Sequence, residues 1–122
     1  MKKDFSNNPL IRHAVEFSIM VIDYTAILES NRKYVIANQV LRSATSIGAS
    51  VMEAQSAESR ADFIHKLKIA DKEAHETKYW LYLCEQTDRA NYRTELNNKP
   101  DEIMRLLNSI ILSSKKTATP NQ

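Results

Sequence analysis

The third predicted helix carries two carboxylate–histidine pairs with the spacing of metal ligands. Asp62 precedes His65 by three residues and Asp71 precedes His75 by four, so each pair can lie on one helix face. A di-iron site in a helical bundle needs glutamates from two helices and a Glu-x-x-His motif from each of two others. The carboxylates of the other helices lie on water-facing edges or near a helix start and do not complete such a set. We therefore interpret both histidines as surface residues and predict no metal site.

Nucleophilic catalysis is the second chemistry that these residue types allow. Ser43, Ser46 and Ser50 lie close together on the second helix, but no histidine or lysine lies one turn away to accept a proton. Cys84, the only cysteine, falls on the apolar seam of the third helix, where a thiol usually acts as a small buried side chain. A single cysteine also excludes an internal disulfide and zinc sites built on cysteine pairs. The sequence therefore predicts no catalytic residue, no cofactor and no small-molecule substrate.

Arg42 and Glu53 are the only charged residues between Tyr34 and Ser56. They are three helical turns apart, so they share a stripe but are separated by about 16 Å along the axis and cannot pair directly. A guanidinium can hold a carboxylate with two hydrogen bonds when both groups are partly buried. We predict that each of the two pairs with a neighbouring helix or subunit and fixes its register. The alternative is that both charges are solvated.

The rest of the back of the second helix is small and uncharged, whereas an exposed helix face normally carries charged side chains. Small side chains let two backbones approach closely, either within a bundle or between subunits. The C-terminal half of the third helix is also apolar on nearly all sides. Four helices of one chain cannot cover this much apolar surface, so we expect a homo-oligomer. The predicted oligomer interface consists of Arg42, Ser43, Ser46, Ala49, Ser50, Glu53, Tyr79, Trp80 and Leu83.

The composition favours a single all-α domain. The chain has 122 residues with one glycine and three prolines, too few turn residues for an all-β fold. Seventeen basic and fifteen acidic side chains give a formal charge of +2, which by itself gives little support for binding to nucleic acid. The N-terminus lacks the apolar run of a signal peptide, and no segment has the ~20 apolar residues of a membrane span. We expect a soluble, cytoplasmic protein without a membrane partner.

Four amphipathic helices with short connections predict an antiparallel up-down bundle. Asn8 followed by Pro9 is typical of a helix start, and the run from Ser59 to Asp62 resembles a capping box with aspartate in place of glutamate. The helices are expected at residues 8–28, 32–56 and 60–88, with a shorter fourth from Pro100. The predicted organisation is a flexible N-terminus at residues 1–7, a four-helix bundle at residues 8–112 and a disordered tail at residues 113–122.

A longer motif on the second helix resembles a known family. The run Gln39-x-x-Arg42-Ser43-Ala44-x-Ser46-Ile47-x-x-Ser50-Val51-x-Glu53-Ala54 is similar to Q-x-x-R-[RS]-A-x-S-I-x-x-N-[IV]-x-E-G in the four-helix-bundle proteins encoded in intervening sequences of bacterial 23S ribosomal RNA genes. Asp62-Phe63 through Leu67, Ile69-Ala70 and Glu76 resemble that family's D-F-x-x-x-L-x-I-A…E segment. Ser50 and Ala54 stand where the family has asparagine and glycine. The resemblance covers about residues 8–112.

The resemblance implies an up-down four-helix bundle that assembles into a ring, commonly a pentamer, and it implies no enzymatic activity. The same fold is found in accessory variability proteins of diversity-generating retroelements, basic pentameric barrels that work with a reverse transcriptase and nucleic acid. A ring would repeat each cation around one rim, and phosphate contacts need only positive charge and reach. The candidate nucleic-acid contacts are Arg60, Lys66, Arg105, Lys115 and Lys116.

Two functions follow as alternatives. The first is a non-enzymatic, oligomeric accessory protein that binds RNA or DNA, or an enzyme that handles nucleic acid, through a ring surface. The second is a purely structural or protein-interaction oligomer with no affinity for nucleic acid. A binding assay at rising salt concentration separates them, because electrostatic binding to phosphates falls steeply with salt.

Overall fold

The computed structural model of the protein describes residues 7–118, and the side chains of residues 7–116. This part of the chain forms four α-helices and no β-strand. The helices are α1 (Pro9–Ser30), α2 (Tyr34–Ala54), α3 (Arg60–Thr87) and α4 (Glu95–Ala118). The predicted all-α fold of four helices is confirmed. Residues 1–6 and 119–122, which belong to the predicted flexible N-terminus and tail, lie outside the described residues.

The helices pack side by side in a closed order. α1 contacts α2 and α4, and α3 contacts the same two helices, while no Cα atoms of the diagonal pairs come within 8 Å in the described part of the chain. The connections between consecutive helices are short, so neighbouring helices run antiparallel. The result is an up-down bundle in which α1 and α3 point the same way.

Local sequence signals set the starts of α1 and α3 where they were predicted. The Asn8 side chain accepts a hydrogen bond of 3.2 Å from the amide of Ile11, and Pro9 occupies the first helical position. The Ser59 hydroxyl accepts a hydrogen bond of 3.0 Å from the amide of Asp62. The Asp62 carboxylate in turn accepts from the amide of Glu58 at 3.1 Å, one residue before the amide that a capping box uses.

Apolar side chains at helical spacing on all four helices form the core. Phe17 and Val21 of α1, Ile47 of α2, Leu67 of α3 and Ile103 of α4 are fully buried. Each large aliphatic or aromatic side chain contributes about 1.5–3 kcal/mol when it leaves water, so this cluster holds the four helices together. None of the helices in the described part of the chain combines the length and apolar character needed to cross a bilayer.

The bounds of α4 differ from the prediction at both ends. The helix begins at Glu95 rather than at Pro100, and its backbone continues to Ala118 through residues that were predicted to belong to a disordered tail. Leu96 is buried and anchors the first turn against the core, although its neighbours are polar. Pro100 lies inside the helix. Because proline has no N–H, the carbonyl of Leu96, four residues earlier, loses its helical hydrogen bond and is crowded by the proline ring.

The connection from α1 to α2 is a tight helix-terminating motif. The amide of Arg32 donates to the carbonyl of Glu29, and the amide of Lys33 donates to the carbonyl of Leu28, both at 2.9 Å. This pair of bonds defines a Schellman motif, in which one residue adopts a left-handed backbone conformation. That residue is Arg32, whose φ is 63°, where glycine or asparagine is usual.

Candidate functional site

A network of polar side chains joins α2 to α3. Arg42 donates hydrogen bonds to the carboxylate of Glu76 and, at 3.1 Å, to the side-chain oxygen of Gln39, while Glu73 lies 3.6 Å from the guanidinium. Trp80 Nε1 donates to the same Glu76 oxygen at 2.9 Å. These hydrogen bonds, from the indole first and from the guanidinium second, lower the pKa of Glu76.

Glu53, near the C-terminal end of α2, is also paired with a residue of α3. The ammonium of Lys66 on α3 donates to Glu53 Oε1 at 3.2 Å. The structure therefore places the partners of both Arg42 and Glu53 on α3 of the same chain, so neither charge needs another subunit to be neutralised. Lys66, a candidate nucleic-acid contact, is engaged in this pair.

The small residues of α2 divide between the interior and the surface. Ser43 and Ser50 are buried within the single chain, and the Ser43 hydroxyl accepts a hydrogen bond of 2.9 Å from Thr77 on α3. Ser46 is half-buried and donates to the carbonyl of its own helix at Arg42. Ala49 is exposed. Only Ser46 and Ala49 of these four are thus placed where another molecule could reach them.

An uncharged face extends across α1 and α2 around Ala49. Val15, Ile19 and Ile22 of α1 are each about half exposed, and Met52 of α2 is 39% exposed. Between the two helices lies a shallow groove of about 290 Å³, where Gly48 leaves room beside Ala14 and Ser18. We call this surface the α1/α2 face. The sequence pattern had indicated excess apolar surface, but the exposed side chains of α1 contribute more of it than the predicted interface residues do.

The candidate cations do not form a single patch. Arg60 opens α3, and Lys115 and Lys116 lie in the last turn of α4, which brings them to the same end of the antiparallel bundle. Arg105 lies in the middle of α4 and is exposed. The positive charge of Lys68 on α3 lowers the pKa of the Lys115 ammonium. Lys68 was not among the predicted contacts.

Comparisons with known proteins agree with the fold. Residues 6–109 match the family of 23S rRNA-intervening sequence proteins. The chain belongs to this family. It is also similar to a crystal structure from Bacteroides thetaiotaomicron of a protein of unknown function from the S23 ribosomal protein family, with 44% sequence identity and a TM-score of 0.78. The match covers 84% of this chain and 97% of the other. No protein of curated function matches.

The residues that carry the resemblance to the 23S rRNA-intervening sequence proteins meet in space. Gln39 and Arg42 of the α2 motif and Glu76 of the α3 segment form one hydrogen-bonded network, to which Trp80 also belongs. Ser43 of the same motif bonds to Thr77 one turn further into the interface between the two helices. In this family member, much of the motif therefore joins α2 to α3 within one chain.

A second groove lies beside this network, and the sequence reasoning missed most of its residues. It has a volume of about 510 Å³ and runs between the start of α2 and Trp80 on α3. We call it the Tyr34–Trp80 groove. Besides these two aromatic residues it is lined by Arg32, Lys33, Val35, Ile36 and Gln39. Tyr34 and Val35 lie at the start of α2 and do not belong to its apolar stripe. The only signal for them in the sequence is that both side chains are apolar although the pattern does not place them in the core.

Tyr79 and Leu83, the other predicted interface residues of α3, lie around Trp80. Tyr79 is 55% exposed, and its ring packs against that of Trp80 with centroids 5.1 Å apart. Leu83 is half-buried on the same helix. These three residues are adjacent, but they lie on α3 rather than on the α1/α2 face, so the structure separates the predicted interface residues into two surfaces.

His65 and His75 lie at the surface and Cys84 lies in the interior, as the sequence indicated. His65 is exposed, and His75 is exposed with its Nδ1 atom 2.9 Å from the carbonyl oxygen of Asp71. Cys84 is buried, and burial raises the pKa of its thiol. Within residues 7–118 no three His, Cys, Asp or Glu side chains gather as a group that could hold a metal ion.

Proposed function

We propose that this protein is a non-enzymatic accessory protein that binds RNA in the cytoplasm and acts as a homo-oligomer. One observation carries the RNA-binding part, the gathering of cations at one end of the bundle, where Arg60 opens α3 and Lys115 and Lys116 lie in the last turn of α4. A phosphate placed between cations of the two helices would interact favourably with both. The family name, which refers to an intervening sequence of 23S ribosomal RNA, supports RNA as the nucleic acid.

Further cations lie on the same two helices. Lys72 lies one turn beyond Lys68 on the same face of α3 and is exposed, and Lys116 follows Lys115 at the end of α4. Arg60 begins α3 at the same end of the bundle. A phosphate backbone could follow these positions without any base-specific contact, as non-specific binding requires. We take Lys68, Lys72, Lys115, Lys116 and Arg60 as the proposed phosphate-binding surface.

The α1/α2 face supports the homo-oligomer. Exposed apolar side chains of α1 lie beside Ala49 and Met52, and an uncharged surface of this kind is typical of a contact between subunits. We therefore keep Ser46 and Ala49 in the proposed interface and add Val15 and Ile19. Ser43 and Ser50 leave it, because the chain's own helices cover them. A ring, with a pentamer as the form that the family resemblance implies, would repeat the phosphate-binding surface around one rim.

Binding of single-stranded RNA at rising salt concentration tests the function. For single strands, each neutralised phosphate contributes about 0.7 to the slope of log Kd against log salt. The double substitution Lys68→Ala and Lys115→Ala should therefore weaken binding and lower that slope by about 1.4. The double substitution Lys78→Ala and Lys99→Ala is the matched control, because it also removes two ammonium groups, which pair with Asp101 at 2.6 Å and with Glu16 at 2.7 Å. Equal effects of the two changes would contradict the assignment.

The alternative function is a structural or protein-interaction oligomer without affinity for nucleic acid. The exposed apolar residues of the α1/α2 face favour it, since they require no nucleic acid to become buried. A protein that forms a stable oligomer but shows no salt-dependent RNA or DNA binding would have this function. An enzyme that handles nucleic acid could then still be its partner, and copurification from cells at low salt would identify it.

A further inference from the structure

The Tyr34–Trp80 groove presents aromatic and apolar surface to water. Tyr34 is 55% exposed and Val35 is 79% exposed, although both are large apolar side chains. Trp80 on α3, which is half-buried, also lines the groove. Flat aromatic rings on two sides of an open groove can take a second flat ring between or against them.

The indole ring of Trp80 is held in one orientation. Its Nε1 atom donates to Glu76, whose charge is in turn neutralised by Arg42. The ring of Tyr79 packs against it at an angle of 64°. Because its position is already fixed, the indole loses little conformational freedom when a ligand stacks on it, and this favours binding.

Positive charge lies at the end of the groove formed by the α1–α2 connection. Lys33 is already engaged, since its ammonium donates to the carbonyl of Thr87 and lies 3.8 Å from Asp88. Arg32 is exposed and lines the groove. Its φ of 63° is unfavourable for any residue with a side chain, and yet the chain has arginine there. The side chain of Arg32, whose backbone has this unfavourable left-handed conformation, therefore brings a guanidinium to the groove.

The start of α2 adds to this positive potential. The first turn of α2 contains no acidic residue, and the N-cap residue Lys33 makes no side-chain hydrogen bond to the first amides. The positive end of the helix dipole is therefore not compensated from within the helix. The groove combines aromatic walls with a cationic end, which matches a ligand with a flat ring and a negative charge.

We propose that the Tyr34–Trp80 groove binds one unpaired nucleotide of an RNA strand, with its base stacked on Trp80 and Tyr34 and its phosphate beside Arg32. This inference rests on the proposed RNA-binding function and adds the place where a base is held. A volume of about 510 Å³ lies within the range of sites that take one small ligand. Paired bases already stack in a duplex, so the groove should favour single strands.

Trp80 is the only tryptophan of the chain, so its fluorescence reports on this groove alone. We expect a single-stranded oligouridylate to quench Trp80, because a stacked base contacts the indole directly. Inorganic polyphosphate of equal charge offers phosphates without bases and should not quench. An RNA duplex of the same length should quench much less than the single strand.

Two substitutions in the groove and one outside it provide the matched comparison. Tyr34→Leu removes a stacking ring, and Arg32→Gly removes the cation while relieving the unfavourable φ. Each should weaken the quenching interaction about tenfold, the effect of losing one stacked ring or one charged contact. Tyr82→Leu removes a tyrosine that is 58% exposed on α3 but does not line the groove, and it should leave the affinity unchanged.

A second readout separates this inference from the proposed function. The anisotropy of a labelled oligouridylate reports binding at any surface. A rise in anisotropy without quenching of Trp80, or quenching that persists in both groove variants, would overturn the groove and leave RNA binding intact. If the anisotropy does not change, the proposed RNA binding is overturned, but quenching of Trp80 by uridine monophosphate would still support a nucleotide site in the groove. If an amphipathic peptide quenches Trp80 and no nucleotide does, the nucleotide site is overturned.

Discussion

The hydroxyl of Tyr24 donates a hydrogen bond of 2.8 Å to the carboxylate of Asp88, which is only 7% exposed. The bond joins α1 to the residue that ends α3, two helices that lie diagonally across the bundle. Lys33 at the start of α2 and Asn91 in the next loop contact the other oxygen of the same carboxylate. One buried aspartate thus fixes four segments of the chain at this end of the bundle.

Replacing Tyr24 by phenylalanine should destabilise the protein by about 1–3 kcal/mol, because a buried carboxylate then loses a hydrogen-bond donor. Urea unfolding followed by far-ultraviolet circular dichroism measures the change. Tyr79→Phe is the matched control, since the Tyr79 side chain is 55% exposed and its hydroxyl can be replaced by water. Equal losses for the two variants would show that the bond to Asp88 does not matter for stability.

The lowered pKa of Glu76 makes part of the stability depend on pH. Hydrogen bonds from Trp80 and Arg42 favour the carboxylate, so the folded pKa lies below the ordinary value of about 4.3. The added stability is complete above that value and is lost as the pH falls through the folded pKa. Because the pair lies at the surface, we expect Glu76→Gln to cost less than about 1 kcal/mol at neutral pH.

Urea unfolding at pH 7 and at pH 3 checks this expectation. The difference between the wild type and Glu76→Gln should be present at the higher pH and smaller at the lower one. Glu29→Gln, in an exposed position at the end of α1, serves as the comparison for removing a glutamate charge. A difference for Glu76→Gln that stays constant over this pH range would contradict the proposed role of the two hydrogen bonds.

Features that depend on a few neighbouring residues could be predicted from the sequence. The starts of α1 and α3 are set by Asn8 and Ser59, whose side chains bond to amides within their own first turn. The start of α4 could not be found in this way, because its first turn depends on the burial of one residue, Leu96, among polar neighbours. Pro100 is a residue type that is common at helix starts, so the sequence placed the start of α4 there instead of at Glu95.

The division of small residues between interior and surface follows from helical spacing rather than from composition. Ser43 lies three residues after Val40 and four before Ile47, on the buried stripe of α2, whereas Ala49 lies off that stripe and is exposed. The hydrogen bond that Ser43 accepts from Thr77, 34 residues away on α3, leaves no mark on the local sequence. The pairing of Arg42 and Glu53 with neighbours was expected, but the identity of their partners depends on the packing of α3.

Arg32→Gly should stabilise the protein by about 1 kcal/mol or less. A left-handed conformation costs a residue with a side chain about 1–2 kcal/mol, and glycine avoids that cost but loses more freedom on folding. Thermal or urea unfolding measures the gain. Asn31→Gly, one residue earlier with a φ of −97°, relieves no such conformation and should not stabilise. Destabilisation by Arg32→Gly would mean that the arginine makes contacts that outweigh the unfavourable φ.

Ala49→Arg should weaken self-association while leaving the helical content unchanged. Ala49 is exposed on the α1/α2 face, where its neighbours Val15, Ile19 and Met52 carry no charge. An arginine there would have to lose water when a second copy covers the face, and the carboxylate four residues further on, Glu53, already pairs with Lys66. We therefore expect a cost of about 2 kcal/mol or more. The corresponding change in the dissociation constant is about thirtyfold.

Light scattering over a range of protein concentrations measures this change, with circular dichroism as the check on folding. Ala61→Arg is the matched control, because Ala61 is an exposed alanine in the first turn of α3, away from the α1/α2 face. Both substitutions add the same side chain to an exposed helical position. Because the helix dipole disfavours a cation in the first turn of α3, circular dichroism is recorded for both variants. If Ala49→Arg and Ala61→Arg form the same oligomer as the wild type, the α1/α2 face is not the contact between subunits.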